Sequence, residues 1–293
     1  MDGTVMEKKV TIKDLTPIHN PTWCPGCGDF GILSTLRMAL AELNLDPWRV
    51  LLVSGIGCGS KTPHYVKTYG FEGLHGRSLP VATGAKLVNP DLTVIAVTGD
   101  GDGYGIGGNH FLHIMRRNFD LTYIVQDNEV YGLTKGQYSP TSKKGFKSPS
   151  SPQGALEEPL NPLTMAIVGG ATYVARGYAF DITHLKQLIV GAIRHKGFSL
   201  IDVLQPCSTY NKINTMEYYN QRVYKLEGSG HDPTDKMAAL TKTEEWEDKI
   251  PIGLFFKAEK PTYEEQALSH CAVPPVKADL ANIDITSILN RLK

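Results

Sequence analysis

The residues best suited to chemistry lie in a glycine-rich turn and in a segment one strand later. Asp100 stands between glycines after the apolar run 93–97, and Asn128 follows the run 121–126. Both runs are typical of strands buried in a parallel sheet. Because the carboxyl ends of parallel strands meet at one edge, we expect Asp100 and Asn128 to lie close together. An acid and an amide placed in that way can hold one Mg²⁺, and the metal can hold a diphosphate.

Two other interpretations of this turn are open. It can be a purely structural turn, or a dinucleotide site, because residues 103–108 satisfy G-x-G-x-x-G and Asp127 lies near the position of a ribose ligand. Charge favours the metal. Asp100 and Asp102 would repel a metal-free pyrophosphate at a helix N-terminus, whereas beside Mg²⁺ the same carboxylates are favourable. The dinucleotide interpretation also leaves Asn128 without a role.

A magnesium site needs more oxygen ligands than two side chains supply. Mg²⁺ binds about six oxygens at roughly 2.1 Å. Asp100, Asn128 and the backbone carbonyl of Val130 would complete that set with two phosphate oxygens and a water. The residues alone therefore favour a Mg²⁺–diphosphate site over the other two interpretations.

Cysteines provide a second candidate site. The chain has five, at Cys24, Cys27, Cys58, Cys207 and Cys271. In a cytosolic chain they are more often ligands or inert thiols than disulfides. The first two form a C-x-x-C turn, and Cys58 and Cys207 follow the apolar runs 50–54 and 200–204, which places them at the edge of the metal site. The spacing favours a [4Fe–4S] cluster over zinc or unligated cysteines, and Cys271 suits an inert thiol.

The elements that must position these residues alternate along the chain. The patterns predict helices at 32–43, 79–88, 108–117, 163–169 and, capped by Asp181, 182–193, and strands at 50–54, 93–97, 121–126, 173–175 and 200–204. This alternation predicts an α/β fold with a doubly wound, mostly parallel sheet. Residues 136–159 form a long loop. After residue 210 we expect a helix at 216–226 and, from residue 250, an extended tail that could wrap a partner.

Composition argues against several classes of function. The 293 residues carry no formal net charge, so nothing suggests a nucleic-acid or membrane-surface partner. Hydrophobic residues make up 41% of the chain, yet the longest apolar runs are too short to cross a membrane. Residues 1–9 are polar and lack the apolar stretch of a signal peptide. We therefore expect a cytoplasmic protein.

Longer motifs resemble a known family. The G-D-G at 99–101, followed by Asn128, is similar to the thiamine-diphosphate motif. The stretches 99–110 (GDGDGYGIGGNH) and 127–137 (DNEVYGLTKGQ) resemble the β subunits of 2-oxoacid:ferredoxin oxidoreductases. One departure is Asp127, where the broader thiamine pattern has Asn. The usual metal ligand is the next position, Asn128, and it is retained.

The resemblance covers about residues 23–210 and implies a fold of the thiamine-diphosphate-binding (pyrophosphate-domain) type. We expect one domain at 1–210 that binds thiamine diphosphate, Mg²⁺ and one [4Fe–4S] cluster, and an irregular C-terminal extension at 211–293 that packs on a partner subunit. The implied cluster ligands are Cys24, Cys27, Cys58 and Cys207. The Mg²⁺ ligands are Asp100, Asn128 and Val130. The expected cofactor contacts are Gly57, Cys58, His75, Gly99, Asp100, Gly101, Asp102, Asn128, Val130, Tyr131, Gly132, Leu133 and Thr134.

Two lysines and a leucine are candidates for the catalytic site. Lys61 follows Cys58 closely, and Lys135 lies just past the metal segment. Lysines beside an anionic site can bind a carboxylate or phosphate as mobile point charges. In the resembling family, lysines at these places flank the substrate, and the residue at Leu133 bears on which 2-oxoacid fits.

The resemblance implies CoA-dependent oxidative decarboxylation of a 2-oxoacid to acyl-CoA and CO₂, with electrons passed through the cluster to ferredoxin, and the reverse carboxylation. In that family the pyrimidine-binding domain and its Glu belong to an α (or fused γα) subunit, so this chain alone should be inactive. The stretch 99–118 favours 2-oxoglutarate, with pyruvate or a broad range as alternatives. From other classes, a nicotinamide-dependent dehydrogenase and a zinc-stapled interaction module stay open.

Overall fold

The structure, a computed structural model, describes residues 9–271, 273–279, 281 and 283–292. The sequence prediction for residues 1–9 therefore lies outside the described residues, apart from Lys9. Every helix within the described ranges is too short or too polar to span a bilayer.

Within the described residues the sheet has eight strands: β1 Val50–Ser54, β2 Tyr69–Glu72, β3 Thr93–Gly99, β4 Leu121–Asp127, β5 Tyr173–Tyr178, β6 Phe198–Leu204, β7 Val223–Lys225 and β8 Ile250–Lys257. Their order is β2-β1-β3-β4-β6-β5-β8-β7. Neighbouring strands run parallel, except that β5 and β8 are antiparallel. The predicted mostly parallel α/β sheet is confirmed.

The helices of the described chain are α1 Asp29–Glu42, α2 Ser78–Val88, α3 Gly108–Arg117, α4 Pro162–Gly169, α5 Ile182–Arg194, α6 Met216–Asn220, α7 Lys236–Thr243, α8 Tyr263–Ala267 and α9 Thr286–Arg291. Short 3₁₀ turns occur at Pro47–Arg49, Gly59–Tyr65 and Pro275–Lys277, and a π-helical turn, Gly101–Ile106, joins β3 to α3. Asp181 caps α5 as predicted, because its side chain accepts a hydrogen bond from His184 N.

Helices cover both faces of the sheet. On one face, α1 and α5 contribute Leu36 and Leu188 to a buried apolar cluster. On the other face, α3 and α4 contribute Phe111 and Leu163 to a second cluster. Every residue of β4 and β6 is buried. The sequences of these strands are therefore rich in apolar residues, because both of their faces are covered.

The segment after residue 210 differs from the sequence prediction. A helix is predicted at 216–226, but α6 ends at Asn220 and β7 follows it. An extended tail is predicted from residue 250, but β8 pairs with β5 and is mostly buried. The apolar run of β8 covers an edge that β5 would otherwise leave unpaired. The division at residue 210 stays a prediction, although β7 and β8 belong to the same sheet as the earlier strands.

Two features had no clear sequence signal. The edge strand β2 is not predicted, because all four of its residues are exposed and no buried apolar pattern marks it. The loop at 136–159 contains no helix or longer strand, as predicted. However, Ser139, Thr141 and Ser142 in it are buried, so this loop packs into the body of the protein.

Candidate active site at the carboxyl edge of the sheet

The carboxyl ends of four adjacent strands form the candidate site. The strands β1, β3, β4 and β6 are neighbours in that order and run parallel. Asp100 directly follows β3, and Asn128 directly follows β4. Cys58 lies in the turn after β1, and Cys207 lies in the turn after β6. The predicted meeting of these residues at one edge is thus a property of the sheet order.

Thr141, from the loop at 136–159, contacts acids at the ends of two neighbouring strands, β3 and β4. Its Oγ1 lies 2.7 Å from Asp100 Oδ2 and 2.8 Å from Asp127 Oδ1. All three side chains are buried. A threonine hydroxyl has one hydrogen, so it can donate to only one of the two carboxyl groups. Both contacts can be satisfied together if the two acids share a proton.

Burial raises the pKa of both carboxyl groups. Burial raises the pKa of Asp100, and hydrogen bonds from Ser139 and Thr141 oppose the rise. Burial, followed by the charges of Asp202 and Asp100, raises the pKa of Asp127 well above its ordinary value. The closeness of these acids in a buried site therefore disfavours the charged form of Asp127 most strongly. A divalent cation beside Asp100 would relieve the repulsion among these acids.

Thr141→Val is expected to lower the free energy of unfolding by about 1–3 kcal/mol, because it leaves two buried carboxyl groups without their shared partner. Thr141→Ser is the matched control, since it keeps the hydroxyl. Urea unfolding of the two variants measures the difference. If valine and serine gave the same midpoint as the natural residue, the shared hydrogen bond would have no energetic importance.

Side chains from later in the chain hold the turn after β4. Asn128 Oδ1 accepts a hydrogen bond from Val130 N at 3.0 Å. Between them Glu129 has φ 55°, a left-handed conformation that is strained for a non-glycine residue. Asn211 Nδ2 donates to Asn128 O at 3.0 Å, and Asn214 Nδ2 donates to the Glu129 carboxylate at 2.9 Å. These contacts stabilise a turn that would otherwise relax.

Gly101 and Tyr131 bring the turns after β3 and β4 into contact. Tyr131 OH donates a hydrogen bond to Gly101 O at 2.9 Å. A Cβ at position 101 would lie only 2.3 Å from an atom of the Tyr131 ring. Glycine is therefore required here so that the ring can lie across the backbone.

Gly101→Ala is expected to lower the free energy of unfolding by about 1–3 kcal/mol, because the new methyl group must displace the Tyr131 ring. Gly108→Ala is the matched control, since a Cβ there would have no neighbour within 4 Å. We expect that control to be neutral or slightly stabilising. Thermal unfolding of both variants tests the difference, and equal loss of stability at the two positions would contradict it.

Asp102 connects three segments of the edge. Its Oδ1 accepts hydrogen bonds from Ile56 N at 3.1 Å and Gly76 N at 2.7 Å. His75 Nδ1 lies 2.5 Å from the same oxygen, and the Thr98 hydroxyl donates to Oδ2. Protein donors thus contact both side-chain oxygens of Asp102, so its carboxylate holds these segments together.

Two of the three glycines of the alternative dinucleotide motif face protein atoms, whereas the third, Gly108, has open space around a Cβ position. A Cβ on Gly103 would lie 2.2 Å from Tyr123 OH, and one on Gly105 would lie 2.8 Å from Tyr131 OH. These glycines make room for aromatic side chains around the π-helical turn, whereas in a dinucleotide motif they admit a pyrophosphate. The dinucleotide interpretation is therefore not supported.

The cysteine-bearing turns converge beside the same site. A Cβ on Gly132 would lie 3.5 Å from Cys58 Sγ and 3.9 Å from Cys207 Sγ, so both sulfurs lie beside this glycine. All five cysteines are free thiols. Burial, followed by the negative charge of Asp29, raises the pKa of Cys58 to about 11 and also raises that of Cys27. These thiols stay protonated near neutral pH unless a metal displaces the protons.

Metal-ion sites built from charged ligands are not evident in the described ranges. There, no group of three or more His, Cys, Asp or Glu side chains could hold a metal ion. The predicted Mg²⁺ ligands do not form such a group, because they are one aspartate, one asparagine and one backbone carbonyl. The four predicted cluster cysteines do not form one either.

The predicted substrate residues border the edge and reach solvent. Lys61 Nζ lies 3.4 Å from Thr22 Oγ1, within the 3₁₀ turn after β1. Lys135 has φ 80°, and its N–H donates to Gly132 O at 3.2 Å. Leu133 is 47% exposed. The two lysines and the leucine therefore lie on turns that adjoin the cysteines and Asn128.

Three other predicted contacts lie in the same turns. Gly57 has φ 137° and open space around a Cβ position, so it suits close approach of another molecule. Thr134 Oγ1 donates to Gln137 Oε1 at 2.6 Å. Val130 is buried and packs in a small cluster with Phe146. Its side chain is part of the protein interior, so its backbone carbonyl is the group that can act as a ligand.

Two protein-family models match the parts of this chain that carry most of the candidate site. Residues 55–203 match the family described as thiamine pyrophosphate enzyme, C-terminal TPP binding domain. Residues 207–270 match the family that describes the C-terminal part of the pyruvate ferredoxin oxidoreductase beta chain. The first match spans both turns that carry Asp100 and Asn128. The second begins at Cys207 and includes Asn211, which holds the Asn128 turn.

The most informative relative is the 2-oxoacid:ferredoxin oxidoreductase subunit beta of Saccharolobus solfataricus. It is 54% identical over 83% of this chain and 84% of its own length. This chain belongs to the β subunits of 2-oxoacid:ferredoxin oxidoreductases. The 2-oxoglutarate synthase subunit KorB of Methanocaldococcus jannaschii is also similar, with 40% identity over 83% of this chain and 90% of its own length.

A solved structure agrees with this family assignment. It is a 2-oxoglutarate:ferredoxin oxidoreductase from Magnetococcus marinus with 2-oxoglutarate, coenzyme A and succinyl-CoA bound. The TM-score is 0.90 at 39% identity, over 98% of this chain and 97% of the other. The predicted thiamine-enzyme fold is confirmed, and the KorB relative and this structure favour the 2-oxoglutarate branch of these β subunits.

Several residues of the site escaped the sequence reasoning. Thr141 and Asn211 are single polar residues in loops, and nothing local indicates what they contact. Gln205 has no local signal either, although it follows β6 directly. Asp202 did carry a signal, because an acid inside the apolar run 200–204 is unusual for a buried strand.

Proposed function

We propose that this chain acts in the CoA-dependent oxidative decarboxylation of 2-oxoglutarate, with electrons passed to ferredoxin, and in the reverse carboxylation. When bound, thiamine diphosphate supplies the electron sink for decarboxylation, and a [4Fe–4S] cluster supplies a path for single electrons. The observation that carries the proposal is that the Asp100, Asn128 and cysteine-bearing turns occupy one sheet edge. The related 2-oxoglutarate enzymes support the choice of substrate.

The residues at the strand ends fit Mg²⁺ and a diphosphate. Asp100 is a buried acid whose pKa is raised by burial and lowered by hydrogen bonds from Ser139 and Thr141, so a cation beside it would favour the ionised form. Asn128 Oδ1 already accepts one hydrogen bond, from Val130 N, and an amide oxygen has a second lone pair for a metal. Oxygen ligands of this kind are those that Mg²⁺ prefers. We infer that Asp100, Asn128 and the Val130 carbonyl would hold the metal.

The cysteine turns fit a cluster. Cys58 Sγ and Cys207 Sγ both lie beside Gly132, so two thiols from different strand ends face the same backbone position, which has no side chain. Cys24 and Cys27 come from the turn before α1, and their N–H and C=O groups close that turn at 3.1 Å. We infer that Cys24, Cys27, Cys58 and Cys207 would hold one [4Fe–4S] cluster.

The exposed turn residues are suited to bind the substrate. Lys61 and Lys135 can each provide a positive charge for a carboxylate, and 2-oxoglutarate has two carboxylates. Leu133, half exposed beside them, would limit the space for the substrate side chain. We propose that these three residues position the 2-oxoacid against the cofactor and determine which 2-oxoacid fits.

An α subunit is proposed to complete the site. The described strands form one sheet, and the family match covers one TPP-binding domain. Activation of thiamine requires a Glu against the aminopyrimidine ring, and we infer that the partner subunit supplies it. This chain then binds the diphosphate half of the cofactor and accepts electrons, but it cannot convert the 2-oxoacid without its partner.

Anaerobic reconstitution with the α subunit tests the proposal. Ferredoxin reduction would be measured for 2-oxoglutarate, pyruvate and larger 2-oxoacids, with and without coenzyme A. We expect turnover only in the mixture, dependence on coenzyme A, and the highest kcat/KM for 2-oxoglutarate. Turnover by this chain alone at the rate of the mixture would contradict the shared site, and a preference for pyruvate would contradict the substrate. Iron and sulfide analysis tests the cluster separately.

A further inference from the structure

A buried amide side chain lies against one of the proposed cluster cysteines. Gln205 follows β6 directly and is 1% exposed. Its backbone N–H donates to Asp127 O at 2.8 Å, so the residue is attached to the end of β4. Its side-chain Nε2 lies 3.2 Å from Cys27 Sγ. Gln205 thus links the strand that carries the metal ligands with the first cysteine turn.

The orientation of this amide follows from its second contact. Gln205 Nε2 also lies 3.2 Å from the backbone carbonyl of Pro206. A carbonyl oxygen can only accept a hydrogen bond, so the NH₂ end of the amide, not its oxygen, must face this position. The NH₂ group has two hydrogens, one for Pro206 O and one for Cys27 Sγ. A metal-bound cysteine sulfur likewise can only accept.

Neighbouring residues hold the side chain in place. A Cβ on Gly28 would lie 3.0 Å from Gln205 Cγ, so the glycine after Cys27 makes room for this side chain. Gly28 N also donates to Pro206 O at 3.2 Å. The donor is therefore fixed by packing before any cluster binds, and it loses little side-chain freedom when it hydrogen bonds to the sulfur.

We propose that Gln205 donates a hydrogen bond to the cluster-bound sulfur of Cys27 and so raises the reduction potential of the cluster. This inference rests on the cluster of the proposed function. Reduction adds one electron, and the added negative charge falls largely on the sulfurs. A hydrogen-bond donor stabilises the reduced form more than the oxidised form, and such bonds are among the factors that set cluster potentials. Gln205 is thus a positioning and tuning residue that makes no contact with the substrate.

Three variants of the reconstituted complex test the inference. Gln205→Met removes the N–H at similar length, and Gln205→Glu replaces the donor by an acceptor with negative charge. Ser208→Ala is the matched control, because the Ser208 hydroxyl donates to Pro25 O at 2.9 Å in the same region and contacts no sulfur atom. The readouts are iron and sulfide content and the potential from an EPR-monitored redox titration, which do not depend on turnover.

We expect the Gln205→Met variant to keep its iron. Its cluster should be reduced about tenfold less favourably, which corresponds to a fall in reduction potential of ~59 mV for one electron. The reduction potential of the Gln205→Glu variant should be lower still, and that of Ser208→Ala should equal that of the natural protein. A full cluster with unchanged potential in Gln205→Met would overturn the inference. So would loss of iron from both Gln205 variants while Ser208→Ala keeps it, because a tuning residue is not needed for assembly. Natural protein without iron and sulfide would instead overturn the proposed function.

Discussion

Asp100→Asn is expected to weaken Mg²⁺-dependent binding of thiamine diphosphate by at least about 100-fold and to abolish turnover of the complex. The substitution removes the anionic oxygen proposed to bind the metal and keeps the size of the side chain. The free energy of unfolding should rise or stay the same. Asp100 is a buried acid beside Asp127, and its removal relieves repulsion while an amide oxygen can still accept from Thr141.

Weaker cofactor binding without a loss of stability distinguishes a metal ligand from a structural residue. Binding would be measured by calorimetry at fixed Mg²⁺, and stability by urea unfolding without cofactor. Asp232→Asn is the matched control, because Asp232 is exposed and hydrogen-bonds locally to Thr234. An Asp100→Asn variant that unfolds more easily and loses binding to the same extent would indicate a structural role for this residue.

Cys58→Ala is expected to remove the cluster and with it all ferredoxin reduction. A [4Fe–4S] cluster uses four thiolates, and Cys58 belongs to the turn nearest Gly132 and Cys207. The anaerobically purified variant should lack the broad visible absorption and most of the iron and sulfide of the natural protein. Removing the thiol leaves the glycine-rich turn around residue 58 intact, so the fold should persist.

The fifth cysteine offers the matched control for this experiment. Cys271 is exposed and far along the chain from the predicted ligands, and Cys271→Ala should keep full iron, spectrum and activity. Far-ultraviolet circular dichroism of both variants would check the fold. A Cys58→Ala protein that stays brown and keeps its iron would exclude Cys58 as a ligand.

The central sheet was predictable because its strands are buried on both faces. Runs rich in apolar residues marked β1, β3, β4 and β6, and the alternation with helices indicated a parallel sheet. The C-terminal strands were not predictable in the same way. The run at 250–257 is apolar, but only its pairing with β5 shows that it covers an edge of the sheet. The exposed β2 carries no apolar pattern at all.

The amino-acid sequence was sufficient to indicate the family, the parallel sheet, and the placement of Asp100, Asn128, Cys58 and Cys207 at strand ends. These follow from local motifs and from the rule that parallel strands end at the same edge. The distant residues that support them became visible only in the folded chain. The hydroxyl of Thr141 joins two acids, and the amide of Gln205 reaches a sulfur from 178 positions away. Such contacts arise from loop packing, for which a single sequence has no periodic or spaced signal.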